Sequence, residues 1–305
     1  MSLKGAPVLV TGGTGFIGSH LVEYLLKEGA NISIISKERI KLENNINVFT
    51  GNLSDPEFTN RVVKEVKPRK IFHLGAFVNP SRDFGMLNKI YKNNFYGTVN
   101  LLQSLLGTSY ESFVFTSTAE VYGNNKVPFK EDMQLNPLSP YSLSKASAEM
   151  ICNMFYQIYK NPIIILRLFL VYGPGQKPDR FVPQLITTLL NNKKFVMTKG
   201  EQKRDFVFVE DVAEALIKAS LSREAQGQTI NICTGKPNSI KEIADNVSDM
   251  INAKNLIDYS KPYRENEQWD YYGDLGKARK ILRWEPRTNI EDGLKKTIDW
   301  YKKHI

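Results

Sequence analysis

The stretch Val8-Leu9-Val10-Thr11-Gly12-Gly13-Thr14-Gly15-Phe16-Ile17-Gly18 decides how this chain is read. An apolar, β-branched run from Pro7 to Thr11 predicts a buried strand. A turn carrying Gly12, Gly15 and Gly18 follows it, and a helix then runs from Phe16 to Lys27 and stops before Gly29. Each glycine stands where a side chain would obstruct: in the turn, against a pyrophosphate, and where helix meets strand. The helix start offers unpaired backbone N–H groups and a partial positive charge, which together suit a phosphate. Thr14, Phe16 and Ile17 belong to the same cradle. Because strand, turn and helix come in this order, the pattern predicts a dinucleotide-binding unit rather than a chance run of glycines.

Composition narrows the setting. A chain of 305 residues with 42% hydrophobic content can fill one large α/β core and a smaller lobe. No apolar run is long enough to span a bilayer, and the first residues lead straight into the first strand, which leaves no room for a signal peptide. The two cysteines, Cys152 and Cys233, fall on an interior helix and a buried strand. They read as reduced core thiols of a cytoplasmic protein, and neither has metal-ligand spacing, so no metal is expected. The net charge of +9 arises from 41 Lys and Arg spread among 32 acids. A dispersed excess of this kind predicts a solvated surface with a few arginines for a phosphate-bearing small molecule, and no nucleic-acid partner.

Strand and helix signals then alternate, as in a doubly wound parallel sheet with helices on both faces, a Rossmann fold. Strands are expected at Asn31 to Ser36, Ile46 to Phe49, Lys70 to Leu74, Ser112 to Ser117, Ile163 to Leu168, Phe206 to Val209 and Thr229 to Ile232. Two long helices, Leu87 to Leu106 and Tyr141 to Tyr159, are apolar on more than one side, which suits a homodimer. From Tyr172 the alternation loosens at Pro174, Pro178, Pro183, Pro237, Pro262 and Pro286. The expected division is a dinucleotide domain over 1–170, with 205–232 returning to it, and a mainly substrate-binding lobe over 171–305.

Chemistry is carried by Ser139-Pro140-Tyr141-Ser142-Leu143-Ser144-Lys145, which puts a phenol and an ammonium four residues apart at a helix start, on one face. A nearby positive charge favours the phenolate and is expected to lower the tyrosine's pKa toward useful acid/base work. Phe113-Val114-Phe115-Thr116-Ser117-Thr118-Ala119-Glu120-Val121-Tyr122-Gly123 supplies a hydroxyl, Thr118, at the carboxyl end of an apolar strand, where open α/β sheets bind ligands.

With these motifs in place, the chain resembles an extended short-chain dehydrogenase/reductase of the nucleotide-sugar epimerase/dehydratase family over essentially its whole length. The likeness extends to His73-Leu74-Gly75-Ala76, Asn94-Phe95-Tyr96-Gly97-Thr98-Val99-Asn100, Arg167-Leu168-Phe169-Leu170-Val171-Tyr172-Gly173-Pro174 and Arg204-Asp205-Phe206-Val207-Phe208-Val209-Glu210-Asp211. It closes on Gly293-Leu294 and Trp300-Tyr301. The resemblance implies that Tyr141 is the general acid/base, that Lys145 also bonds the nicotinamide ribose, and that Thr118 bonds the reacting sugar oxygen. It implies dinucleotide contacts at Leu53, Leu74, Gly75, Ala76, Asn94 and Leu168, and a nucleotide-sugar substrate. Arg204 and Arg264 would hold that substrate's pyrophosphate, with an ion pair to Asp205 and a solvated loop charge as their plainer readings. Val78, Ala119, Leu170, Arg180, Phe181 and Val196 would line the sugar and nucleotide pocket. His73 reads as a turn and packing residue rather than a catalyst.

Departures from the family pattern narrow the reaction. Dehydratases of this family carry Thr-Asp-Glu where this chain has Thr118-Ala119-Glu120, so 4,6-dehydration lacks its acid. Glu120 is kept in sugar-acid decarboxylases of similar sequence, and it can equally serve to bond its own loop. Leu170 replaces the asparagine that touches substrate phosphates in epimerases and decarboxylases. The second strand ends Ile34-Ile35-Ser36-Lys37-Glu38-Arg39 instead of with the ribose-binding Asp of NAD enzymes. Ser36, Lys37 and Arg39 suit a 2′-phosphate, whereas Glu38, one residue displaced, would suit NAD; NADP is the preferred cofactor and NAD the alternative. Asn52 stands near the adenine. The segments Val171 to Pro183 and Lys199 to Phe206 are similar to 4-keto-sugar reductases of the abequose and paratose synthase type. The expected activity is therefore NADPH-dependent reduction of a nucleotide-linked 4-keto-6-deoxyhexose. An NAD-dependent 4-epimerase or a sugar-acid decarboxylase is the alternative, and a non-catalytic dinucleotide-binding protein the remote one.

Overall fold

In chain order the computed structural model, which describes residues 2–40, 42, 46–79 and 81–305, opens with β1 (Pro7–Thr11), α1 (Phe16–Lys27), β2 (Asn31–Ser36), β3 (Asn47–Thr50), α2 (Pro56–Val66) and β4 (Lys70–His73). It continues with α3 (Leu87–Ser104), β5 (Ser112–Thr118), α4 (Pro140–Tyr159), β6 (Ile163–Leu168), β7 (Leu170–Tyr172) and α5 (Phe181–Leu190). Then come β8 (Phe195–Val196), β9 (Lys203–Arg204), β10 (Phe206–Phe208), α6 (Val209–Leu221) and β11 (Thr229–Ile232). The chain closes with β12 (Asn238–Ser239), α7 (Ile240–Ile251), β13 (Ile257–Asp258), β14 (Asp270–Tyr271) and α8 (Ile290–His304).

Seven strands form one parallel sheet in the order β11-β6-β5-β4-β1-β2-β3. Parallel strands must be joined by crossovers, and helices covering both faces leave them apolar throughout. β1, β4, β5 and β6 are accordingly buried along nearly their whole length. One face packs Val8, Val10, Val114, Ile164 and Leu166 with α1 and α6. The other packs Leu9, Ile71, Phe113, Phe115 and Ile165 beneath α2, α3 and α4. Strand order reverses between β1 and β4, which opens a crevice at the carboxyl ends of β1, β2, β4 and β5.

The expected strand Phe206 to Val209 forms as Phe206–Phe208 but lies off the main sheet, paired with β7. The cause is tertiary: after β6 the Phe169 N–H bonds Ile232 O, and β7 then pairs with β10 at the entry to the second lobe. That lobe has its own core of Tyr172, Leu185, Ile186, Phe208, Val247, Leu294 and Ile298, drawn from β7, β10, α5, α7 and α8. Among the described residues, no helix is long and apolar enough to cross a membrane.

Candidate active site

Side chains cap α2, α4, α7 and α8 through Asp55, Ser139, Ser239 and Asn289, but α1 begins at Gly15 with no side-chain cap. Its first-turn N–H groups therefore face the crevice between β1 and β4. Gly12, at φ 72°, could not carry a Cβ, which would lie 2.8 Å from Gly75 N. A Cβ on Gly18 would run into the carbonyl of Gly12. Thr14 and Gly15 are exposed at the crevice, while Phe16 and Ile17 are half-buried. An uncapped helix end over a cradle that backbone alone can line fits a dinucleotide pyrophosphate.

The opposite wall of the crevice is Leu74, Gly75 and Ala76, held by a one-way chain of hydrogen bonds. Gly75 N–H donates to Thr11 Oγ1 (2.9 Å), and Thr11 Oγ1 lies 2.7 Å from His73 Nδ1. His73 Nε2 lies 2.9 Å from Thr98 Oγ1, whose own proton goes to Asn94 O. Since Thr98 must accept from the ring, His73 carries its proton on Nε2 and accepts from Thr11 on Nδ1. Burial, then Lys145, pushes its pKa down to about 3, so the ring is neutral. The side chain of Asn94 clamps Phe77 by accepting from its N–H and donating to its carbonyl, and it also donates to Ser144 Oγ.

At the carboxyl end of β2, Ser36 donates to Glu38 O and Lys37 reaches Asn93 on α3. The Lys37 pKa is lowered by desolvation and then by the neighbouring ammonium of Lys89. Arg39 and Glu38 are exposed, Leu53 is buried, and Asn52 Oδ1 accepts from Ser54 N–H. Asn93 and Lys89 were not singled out in the sequence, where nothing marks a face of α3 as lying beside β2.

Tyr141 sits in the first turn of α4, which Ser139 and Ser142 start with a reciprocal capping box and Pro140 pre-sets. Lys145, one turn on, is buried; its Nζ donates to Thr116 O (2.7 Å) and lies 4.7 Å from the Phe115 ring centroid. Burial pushes its pKa down from an ordinary 10.5 to about 8. The expected lowering of the tyrosine is corrected here. The Tyr141 pKa is raised, first by desolvation and then by Glu120, with Arg180 opposing. Lys145 directs its ammonium at the strand carbonyl, so in this state the phenol holds its proton.

Thr118 caps the short turn after β5, its Oγ1 accepting from Glu120 N–H, and Ala119 is buried behind it. The Glu120 side chain is accessible from the cleft, yet the surrounding protein desolvates it enough to raise its pKa; Arg180 and then Arg82 oppose this. Glu120, just past β5, thus feels the charges of Arg180, at the start of α5, and Arg82, in the segment after β4, and itself acts on Tyr141 of α4. Arg167 grips the buried Glu149 with Nε and NH2 (2.7 Å to Oε2) and donates from NH1 to Tyr122 Oη (2.8 Å). Glu149 lies one turn beyond Lys145 on α4, so the pair fixes this helix to β6.

Leu168, expected to touch the dinucleotide, is buried at the end of β6; of the expected substrate residues, Leu170 and Phe181 are half-buried, and Val78 and Val196 are half-exposed. Arg204 does not pair with Asp205. Its NH2 lies 2.8 Å from Glu267 Oε1, while Asp205 is buried and accepts from Thr234 and Gly235. The guanidinium of Arg264 makes no hydrogen bond or ion pair among the described residues, and nothing ties Val196 or Arg264 directly to Tyr141 or Glu120. Glu267 went unnoticed because a carboxylate in a polar loop has no periodic signature.

The family model described as GDP-mannose 4,6 dehydratase matches residues 9–297. A dTDP-D-glucose 4,6-dehydratase of Mus musculus is 31% identical, covering 98% of this chain and 89% of that protein. The solved UDP-glucose 4-epimerase of Thermotoga maritima with UDP-glucose superimposes with a TM-score of 0.91 at 30% identity, over 97% of this chain and 99% of that one. The UDP-glucuronic acid 4-epimerase of Bacillus cereus, solved with UDP-glucuronic acid and NAD, gives 0.89 at 27% identity, over 98% and 99%.

Proposed function

Because the chain belongs to the nucleotide-sugar dehydratase and epimerase family, we propose that it performs pyridine-nucleotide redox chemistry at C4 of a nucleotide-linked hexose, the net reaction being NADPH-dependent reduction of a 4-keto-6-deoxyhexose. Residues 1–170 with 205–232 would hold the dinucleotide, and the rest of 171–305 the nucleotide sugar. The observation that carries the choice of a reductase is the end of β2. Ser36 stands where a ribose-binding carboxylate would be needed for NAD, and the ammonium of Lys37, which feels that of Lys89, would suit a 2′-phosphate there. The 4,6-dehydration of the mouse relative is not proposed, since buried Ala119 offers no acid for a leaving hydroxyl.

The α1 cradle, Leu74 to Ala76 and Lys145 would hold the cofactor, which supplies hydride when bound. Thr118 would orient the sugar's C4 oxygen, and Tyr141, which holds its phenolic proton, would deliver that proton as the carbon is reduced. Lys145 would then stabilise the phenolate until solvent reprotonates it.

A second reading is favoured by one observation: the charges of Arg180 and Arg82 act on Glu120, which itself acts on Tyr141. Two cations there suit a sugar acid and hence an NAD-dependent 4-epimerase or decarboxylase. The test is to identify the dinucleotide carried by the fresh protein, titrate NADPH and NADH, and assay both substrate classes. Loosely held cofactor, NADPH preference and reduction of a 4-keto nucleotide sugar are expected. Stoichiometric retained NAD with interconversion of C4 epimers of a nucleotide-linked uronate would replace the first reading with the second.

We also propose a homodimer. Tyr96 on α3 and Leu143, Met150, Met154 and Ile158 on α4 are exposed at helical spacing, an apolar stripe of the kind a second copy covers. Cys152 and Cys233, free and buried, support a cytoplasmic setting.

A further inference from the structure

We propose that Glu267 sets the affinity of the site for the substrate's diphosphate by standing as a fixed counter-ion to Arg204. The inference rests on the reading that Arg204 faces the nucleotide pyrophosphate.

Arg204 is held on several sides. NH2 meets Glu267 Oε1 at 2.8 Å, and NH1 donates to Lys203 O (2.9 Å) and Trp269 O (3.4 Å). The Nε–H has no hydrogen-bond partner among the described residues. The guanidinium is thus oriented, yet it keeps a free donor for an incoming oxygen. Its charge, however, is largely matched: the two side chains are only 15% and 13% exposed, so solvent screens their interaction little.

Glu267 is not placed to swing away. Gln268, next in the chain, donates to Gly123 O (2.7 Å) in the loop that follows β5. Tyr263 is fixed to Glu201 by two hydrogen bonds and its ring lies 4.9 Å from that of Trp269. Beyond the segment, β14 pairs with β9, aligning Tyr271 with Arg204 itself. These ties fix the backbone that carries Glu267, so its carboxylate stays within reach of Arg204 and a diphosphate arriving there meets a negative charge close by. Arg264, in the same segment, has no ion-pair partner among the described residues and would add attraction from outside the pair. Such an arrangement keeps the orienting value of Arg204 and limits its grip. That matters for a reaction whose substrate and product carry the same diphosphate, because a site that held one too firmly would release the other slowly.

Glu267→Gln isolates the charge, since the amide oxygen can still accept from Arg204. Binding of UDP, dTDP, CDP and GDP would be measured by calorimetry on the full-length protein at low and high salt. For whichever nucleoside diphosphate binds the wild type, the variant is expected to bind about three- to tenfold more tightly at low salt, with a smaller gain at high salt. The double variant Glu267→Gln/Arg204→Gln is expected to bind more weakly than Glu267→Gln alone, because the guanidinium that meets the diphosphate is gone. Equal or weaker binding by a variant whose thermal unfolding matches wild type would overturn the proposal and leave the reading of Arg204 intact. Failure of every nucleoside diphosphate to bind the wild type would remove that reading, and the proposal with it.

Discussion

Lys145→Met should make the protein more stable at neutral pH while stopping its chemistry. Burial moves the lysine's pKa from 10.5 to about 8. At about 1.4 kcal/mol per tenfold change, holding the proton in the folded state costs about 3 kcal/mol. The sign follows from proton uptake. The unfolded chain binds this proton more tightly, so the cost is present in full below pH 8, declines as pH rises through the window from 8 to 10.5, and is absent above it. Methionine fills the same volume uncharged but gives up a charge-assisted hydrogen bond to Thr116 O, a loss of about 1.5 to 3 kcal/mol. The net expected gain is about 1 kcal/mol near pH 7, roughly 2 °C in Tm for a chain of this size. Thermal unfolding of both proteins at about pH 7 and pH 10 measures it, and the difference between them cancels the titration of other groups. A variant less stable than wild type at pH 7, or an advantage that persists unchanged at pH 10, would refute the reasoning.

Tyr141→Phe should abolish turnover while leaving dinucleotide affinity within a few-fold of wild type; a near-normal rate would remove Tyr141 as the proton donor. Met154→Asp puts a charge in the middle of the exposed stripe on α4, and light scattering should then report a monomer where wild type is a dimer. A wild-type protein that is already monomeric would dispose of the stripe as an interface.

The alternating strands and helices were legible because burial on both faces of a parallel sheet imposes unbroken apolar runs, and β1 and α1 begin and end where the glycine turn placed them. Phe206 to Phe208 has the same apolar signature as a central strand. Only the departure of the chain at Phe169, a tertiary event, decides that it pairs with β7 instead. Tyr141, Lys145 and Thr118 stand out by type and order as the proposed catalytic set, but the state of the tyrosine does not follow from that. Spacing alone sets the ammonium beside the phenol, whereas the fold turns it toward Thr116 O and lets desolvation dominate. Pairings between distant loops, such as Arg204 with Glu267 and Lys37 with Asn93, leave no trace in a periodicity and emerge only once the lobes are folded.

The hydrogen-bond chain through His73 has a consequence for survival in acid. With Nδ1 receiving the Thr11 proton and Nε2 engaged by Thr98, the folded protein has no lone pair to offer another proton until about pH 3, while an unfolded chain takes one up near pH 6.5. Across that interval each unit of acidification favours the unfolded state by about 1.4 kcal/mol from this ring alone. The residue that braces the Leu74 to Ala76 wall of the crevice at neutral pH is therefore also an acid fuse, set to release β1, β4 and α3 together.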